Sequence, residues 1–247
     1  MSGNFILIMK TVIITGASQG IGRCLAIHYA SNGYQVLAVY NNSKSQAEAL
    51  LEYKNIDIFK ADVSSESEVD ALFGYAKNKY GNIDVLINNA GVALKQKPLI
   101  DVLESEYNHV FNVNVKGVFL CTKNAVNNML NNGGKIINIS SVFGEVKGSC
   151  EVVYSASKSA VIGFTRALSE ELEYSNIAIC SIVLGLVDTK MNAHLTDEEK
   201  LEFVKECGLK KVPTPSEVAT KIYQISTLTN KEINGKNFPI FAGNMLK

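Results

Sequence analysis

The sequence predicts a doubly wound α/β fold, a parallel sheet of about seven strands with helices on both faces. Three observations predict it. Short apolar, β-branched runs alternate with longer amphipathic stretches along the whole chain, the pattern of strands buried between two helical layers. The first run leads straight into a glycine-rich turn and a helical stretch, "VIITGASQGIG", as the opening βα unit of such a sheet does. No linker, internal repeat or low-complexity tract interrupts the alternation, so residues 1–247 are expected to form one domain.

Each element follows from its own stretch. "TVIITG" is β-branched and closed by glycine, a first strand, and a helix follows over 20–32. "QVLAVY" is the second strand; Asn41 to Lys44 then read as a turn and helix cap, opening a helix over 43–53. "IDIFKAD" is the third strand, with a helix over 65–80 behind it. The fourth, "IDVLINNAG", precedes two helical stretches, 101–115 and 116–130. "GKIINISS" and "IAICSIVLG" are the fifth and sixth strands, separated by a helix over 152–174. The stretch 186–212 breaks the rhythm: it is charged and weakly periodic, with room for a short helix, and reads as an insertion forming a lid over a site. A helix over 215–228 and a seventh strand in "KNFPIF" complete the series.

With 247 residues, 47% hydrophobic and 19% charged, the chain carries enough apolar material for a substantial core. Lys+Arg and Asp+Glu stand at 24 each, so no net field recruits nucleic acid or an anionic membrane, and a small molecule is the expected partner. The five cysteines are widely spread without a CxxC, and the three histidines lack metal-ligand spacing. Neither a disulfide framework nor a metal site is expected, and the compartment reads as reducing and cytoplasmic. The opening "MSGNFILI" is too short to span a bilayer and lacks the basic start and cleavage site of a secretory leader; Met9 reads as an alternative start, with residues 1–8 as an extension.

Gly16, Gly20 and Gly22 lie at the turn from the first strand into the first helix. Glycine there lets the chain turn sharply and lets a pyrophosphate approach the free N–H groups and positive dipole of the helix N-terminus. The spacing is Gly-x3-Gly-x-Gly rather than GxGxxG, and no Gly-Lys-Ser/Thr follows. A triphosphatase loop is excluded, and a Rossmann-type dinucleotide site is expected, with Ser18, Gln19 and Ile21 completing the loop. At the end of the second strand an acidic residue would hold the free ribose 2′-hydroxyl of NAD. Here Tyr40, Asn41, Asn42 and Ser43 stand instead, and no Asp or Glu precedes Glu48. With no carboxylate to repel a 2′-phosphate, and with Lys44 or Arg23 to supply charge, NADP(H) is favoured over NAD(H).

"YSASK" sets Tyr154 and Lys158 at i and i+4, on one helix face, with only small residues between them. Elsewhere such a pair is ordinary surface packing. A phenol titrates near 10 and is a poor base at neutral pH; a close ammonium in a water-poor site favours the phenolate, and bringing it to neutrality takes about 4 kcal/mol of such interaction.

Five motifs occur in order: "TGASQGIG" (15–22), "NNAG" (88–91), Asn114 in "NVNVKG", Ser141 in "NISSVFG", and "YSASK". From Thr11 to Gly243 the chain thereby resembles the short-chain dehydrogenase/reductase family, and within it is similar to 3-oxoacyl-carrier-protein reductases and their sugar- and steroid-reducing relatives. The resemblance implies that Tyr154 donates a proton to the carbonyl oxygen as hydride arrives from the nicotinamide, and accepts one in reverse. It implies that Lys158 lowers the phenol's pKa and binds the ribose hydroxyls. Ser141, at the family's distance of thirteen residues before Tyr154, is preferred over Ser140 as the hydroxyl bonded to the substrate oxygen. Asn114 would hold a water joining Lys158 to solvent, or else bond backbone within its helix. Asn88 would tie adjacent strands while Asn89, Ala90 and Gly91 skirt the adenosine. Asp62, beside Val63, would meet the adenine or cap the next helix, and Gly185, Val187 and Thr189 would lie against the nicotinamide. One departure is Leu184, where most relatives carry proline; its N–H and freer φ bear on how the lid closes.

Phe143, Glu145, Ser149 and Cys150, with the lid, are expected to line the substrate pocket beside Ser141 and Tyr154. Glu145 would there select hydroxyl-bearing substrates, unless it is a solvated loop residue. Reductases that act on acyl carrier protein need basic residues for an acidic partner; "NNMLNNGGK" and "EELEYSNI", which flank the fifth strand and the catalytic helix, make a poor dock for one. Two substrate readings therefore stand: a 3-oxoacyl thioester, on a carrier protein or otherwise, and a free ketone, sugar, polyol or steroid-like alcohol. A non-catalytic dinucleotide sensor is a third, which the presence of Ser141, Tyr154 and Lys158 argues against. The resemblance also implies a homo-oligomer, a dimer or a homotetramer, joined through helices near 101–130 and 152–174.

Overall fold

A computed structural model describes residues 9–146 and 148–242; the expectations for residues 1–8 and Gly243 lie outside them. The β-branched runs become β1 (Thr11–Ile14), β2 (Gln35–Tyr40), β3 (Ile56–Lys60), β4 (Val85–Asn88), β5 (Gly134–Ser141), β6 (Ile177–Leu184) and β7 (Asn237–Ile240). They form one seven-stranded sheet in the order β3-β2-β1-β4-β5-β6-β7, every pairing parallel. Pro239 is tolerated because β7 is an edge strand with one unpaired side.

Successive strand residues point to opposite faces, so Val12 and Ile14 join one apolar cluster and Ile13 the other. The first cluster takes in α1 (Gly20–Ser31) and α8 (Pro215–Thr227); the second takes in α3 (Glu66–Tyr80), α5 (Gly117–Met129) and part of α6 (Val152–Glu171). Burial on both faces is why the strand runs are apolar without a break. A line of buried side-chain hydrogen bonds fastens α6 to the sheet: Asn88 Nδ2 donates to Asn138 Oδ1 (2.8 Å), Asn138 Nδ2 to Thr165 Oγ1 (2.9 Å), and Ser181 Oγ to Thr165 Oγ1 (2.9 Å).

The helices depart from their sequence patterns in four places. The stretch 43–53 splits into α2 (Lys44–Glu48) and a 3-10 turn, Ala49–Glu52. The two stretches over 101–130 join: after a separate 3-10 turn, Leu99–Asp101, α4 (Glu104–Phe111) runs through a π-helical turn, Asn112–Lys116, into α5. α6 ends at Glu171, short of 174. A four-residue helix, α9 (Asn230–Ile233), is too brief for periodicity to reveal. Within the stretch 186–212 lies α7 (Asp197–Glu206). Reciprocal Thr–Glu caps open α7 and α8 at Thr196/Glu199 and Thr214/Glu217, and at α9 the Glu232 carboxylate accepts from Thr229. Among the described residues no helix is long and apolar enough to cross a membrane.

Candidate active site

A cavity of about 690 Å³ opens where the ends of the parallel strands meet, lined by Gly16 after β1, Tyr40 of β2, Ala61 after β3, Asn89 after β4, Ser141 of β5 and Leu184 of β6. The sheet order reverses between β1 and β4, which leaves a crevice there for a ligand. Two glycines shape it. Gly16 has φ +65°, and a Cβ on it would come 2.9 Å from Ala90 Cα; a Cβ on Gly22 would overlap the carbonyl oxygen of Gly16. The "NNAG" loop is fastened to this turn: Asn89 Nδ2 donates to the carbonyls of Thr15 (2.9 Å) and Gly16 (3.1 Å), while Thr15 Oγ1 accepts from the N–H groups of Asn89 and Ala90 (3.0 Å each). Asn89 thus props the glycine turn from behind as well as lining the cavity. The side chain of Gln19, the N-cap of α1, makes no capping bond, so the first N–H groups of that helix stay available to a phosphate. These features fit a dinucleotide, and Ser18, Gln19, Gly20 and Ile21 line the cavity at this turn.

At the far end Tyr40, Asn41, Asn42, Ser43, Asp62 and Val63 line the wall, with no carboxylate among the first four. Lys44 and Arg23 do not line it: Lys44 pairs with Glu48 at 3.5 Å, and Arg23 donates to the Gln46 carbonyl at 3.3 Å beside Glu52. Asp62 Oδ1 accepts from the N–H (2.9 Å) and hydroxyl (2.7 Å) of Ser64, which together with Asn41 hold its carboxyl below the usual range. The N-cap of α3 is Ser65, so Asp62 forms the turn ahead of the helix and keeps its place in the wall.

β5 and α6 bring the catalytic candidates together. Ser140 Oγ donates to the Lys158 carbonyl (3.0 Å), which leaves Ser141 as the hydroxyl beside Tyr154. Lys158 is buried; its Nζ donates to the Ile139 carbonyl at 2.9 Å and lies 5.7 Å from the Tyr154 ring centroid. Burial pushes the Tyr154 phenol up to about 12; the Ser141 hydroxyl pulls it back and the charge of Glu151 adds to the rise. Burial also brings Lys158 down to about 8. Desolvation dominates the phenol, and the Ser141 hydroxyl opposes it.

Asn114 sits in the π turn, fully buried and outside the cavity wall. Its Oδ1 accepts from Val92 N–H (2.8 Å), and its Nδ2 donates to the Val92 carbonyl (2.9 Å) and Ser157 Oγ (3.1 Å). Of the two roles open to it, backbone bonding is the one these contacts display, across to the "NNAG" loop rather than within its own helix. Ser157 Oγ in turn donates to the Tyr154 carbonyl (2.7 Å), which links Asn114 to α6.

Gly185, Val187 and Thr189 line the cavity, Thr189 beside Gly20 of the glycine turn, and a Cβ on Gly185 would overlap the Phe241 carbonyl oxygen. Leu184 closes β6 against Ile240. Of the substrate-pocket candidates Phe143 lines the cavity, whereas Glu145, Ser149 and Cys150 do not. Glu145 is exposed on the far side of its turn, accepting from Asn237 Nδ2 (2.7 Å) with Arg166 3.9 Å away, so its carboxylate is engaged outside the pocket. Ser149 and Cys150 are exposed, their side chains near each other at 3.9 Å. The wall holds instead Gln96, Glu151 and, from the stretch 186–212, Met191, His194, Leu195 and Phe203, with His109 near Asp62. Sequence reasoning missed these because they belong to no local motif. Only Glu151 carried a signal, three residues before Tyr154 and so on the same helical face. Among the described residues no cluster of His, Cys, Asp or Glu is placed to hold a metal ion.

The family model described as short chain dehydrogenase matches residues 10–200. The chain is 34% identical over 240 residues to a 3-oxoacyl-acyl-carrier-protein reductase of Staphylococcus aureus, covering 95% of this chain and 97% of that one. It is 32% identical to the protein of that name from Staphylococcus epidermidis, over 95% and 98% of the two chains. A Synechocystis protein of the same name is 33% identical over 96% of this chain and 97% of its own.

Proposed function

The chain belongs to the short-chain dehydrogenase family, and from that premise we propose that it is an NADP(H)-dependent reductase converting a ketone to a secondary alcohol, with Tyr154 as proton donor. It is an oxidoreductase acting on CH–OH groups with a nicotinamide dinucleotide. One observation carries the proposal: Ser141, Tyr154 and Lys158 converge on one cavity whose other wall is the glycine turn. When bound, the nicotinamide supplies or takes up hydride. Ser141 Oγ orients the substrate oxygen. Burial keeps Tyr154 protonated at neutral pH, so the phenol retains its proton until negative charge develops on that oxygen and then donates it. Lys158, at about 8, is largely cationic at neutral pH and offsets the phenolate that remains. Asn114 holds the loop and helix in register behind them.

Tyr154→Phe is expected to lower kcat/KM at least roughly a thousandfold while the cofactor dissociation constant stays within about threefold. Unaltered turnover overturns the mechanism. The same assay run with either cofactor reads the NADP(H) preference, which rests on the absence of a carboxylate among Tyr40, Asn41, Asn42 and Ser43; a lower KM for NADH overturns it.

The named relatives make a 3-oxoacyl thioester the first substrate to test, with acyl carrier protein as partner. A second reading, a free hydroxylated ketone, is favoured by the carboxylate of Glu151 in the cavity wall. We place the enzyme in the cytoplasm as a single domain, with residues 186–212 as its lid and association into a dimer or tetramer.

A further inference from the structure

Glu151 is the residue just ahead of α6, one turn before Tyr154, and both line the cavity. Its carboxylate is close enough for its charge to raise the Tyr154 phenol, and Gln96 and His194 face it from two other segments. The cavity wall that holds this trio also carries the apolar Leu94, Phe143, Met191, Leu195 and Phe203, with Lys190, Asn192 and Glu199 among them. Among the described residues no Lys or Arg pairs with Glu151, unlike Glu145, Glu48 and Glu106. Burial raises its carboxyl above the usual range, while Gln96 and His194 pull it back, so it is a partly desolvated acceptor with a single amide beside it.

A carboxylate accepts hydrogen bonds at about four positions. Gln96 lies beside it, and closing the pocket over an alkyl substrate would strip water from its free positions without replacement, a cost of the kind that lets enzymes reject analogues lacking a hydroxyl. A substrate anion at that place would meet like charge.

We propose that Glu151 determines substrate specificity, accepting a hydrogen bond from a hydroxyl one or two carbons from the reacting carbonyl, and that the enzyme reduces hydroxyketones in preference to alkyl ketones, oxoacids and simple thioesters. The role that the sequence suggested for Glu145 belongs, on this geometry, to Glu151. The proposal rests on the reductase reading above.

The test compares kcat/KM for 1-hydroxy-2-butanone, its methyl isostere 3-pentanone, the anion 2-oxobutanoate and an acetoacetyl thioester of N-acetylcysteamine, in the wild type, Glu151→Gln and Glu151→Leu. The wild type is expected to favour the hydroxyketone over 3-pentanone by about tenfold or more, Glu151→Gln to keep part of that ratio, and Glu151→Leu to bring it within about twofold. Both variants are expected to gain on 2-oxobutanoate relative to 3-pentanone. Cofactor binding, followed by nicotinamide fluorescence, verifies that each variant is folded. A ratio that is the same in Glu151→Leu, or a wild type that favours the thioester over the hydroxyketone, overturns this proposal and leaves the reductase reading standing. If the wild type binds cofactor and turns over no carbonyl in the panel, the reductase reading itself falls, and this one with it.

Discussion

Burial moves the two members of the Tyr154–Lys158 pair apart, the phenol up to about 12 and the ammonium down to about 8. The lysine therefore resides in the folded protein at an electrostatic cost. The folded chain releases that proton near 8 and the unfolded chain near 10.5; between those values the unfolded state holds more protons, so this group makes stability rise with pH. Lys158→Met removes the effect. From about pH 7.5 to about pH 9.5 the wild type is expected to gain about 2 kcal/mol relative to the variant, read from denaturant midpoints. A constant difference across that range means the ammonium is not desolvated. The i, i+4 spacing was legible in the sequence because helical periodicity sets it. The balance of burial and hydrogen bonding was not, because Ser141 and Ile139 reach the pair from β5 through the fold.

At the scale of elements, the run from α4 through the π turn to α5 sets how the cavity wall is held. The extra residue of a π turn interrupts the regular ladder, and the sequence showed this only as a boundary between two helical stretches. Asn114 makes use of the irregularity by bonding Val92 on one side and Ser157 on the other. Asn114→Ala leaves the Val92 N–H and carbonyl without those partners. A loss of about 2 to 3 kcal/mol in unfolding free energy is expected, with cofactor affinity weakened about tenfold as the 89–92 segment loosens. Unchanged cofactor affinity beside lost stability removes the link to the site. Strands were easier to read than helix ends, since burial on both faces demands unbroken apolar runs whereas α6 ends at Glu171 without a periodicity break to mark it.

For the whole molecule, the exposed apolar residues Leu99, Ile100, Leu103, Tyr107 and Phe119 fall within one stretch of chain, and Ile100 is 92% accessible. Apolar groups concentrated in this way favour association. Light scattering is expected to give the mass of a dimer or tetramer, and Leu103→Glu with Phe119→Glu to lower it; a wild-type monomer removes this surface from the account. By itself the sequence determined the parallel sheet between two helical layers, the glycine turn and the order of the catalytic motifs. Each of these is written in spacing along the chain, through side-chain periodicity or backbone freedom at glycine. Only the tertiary structure decided that Glu145 turns away to Asn237 while Glu151, Gln96 and His194 share one wall, and that the Ser141 hydroxyl lies beside the Tyr154 phenol. Those outcomes depend on which segments the sheet order brings to the crevice and on how much water they exclude, and neither quantity is a property of neighbours in sequence.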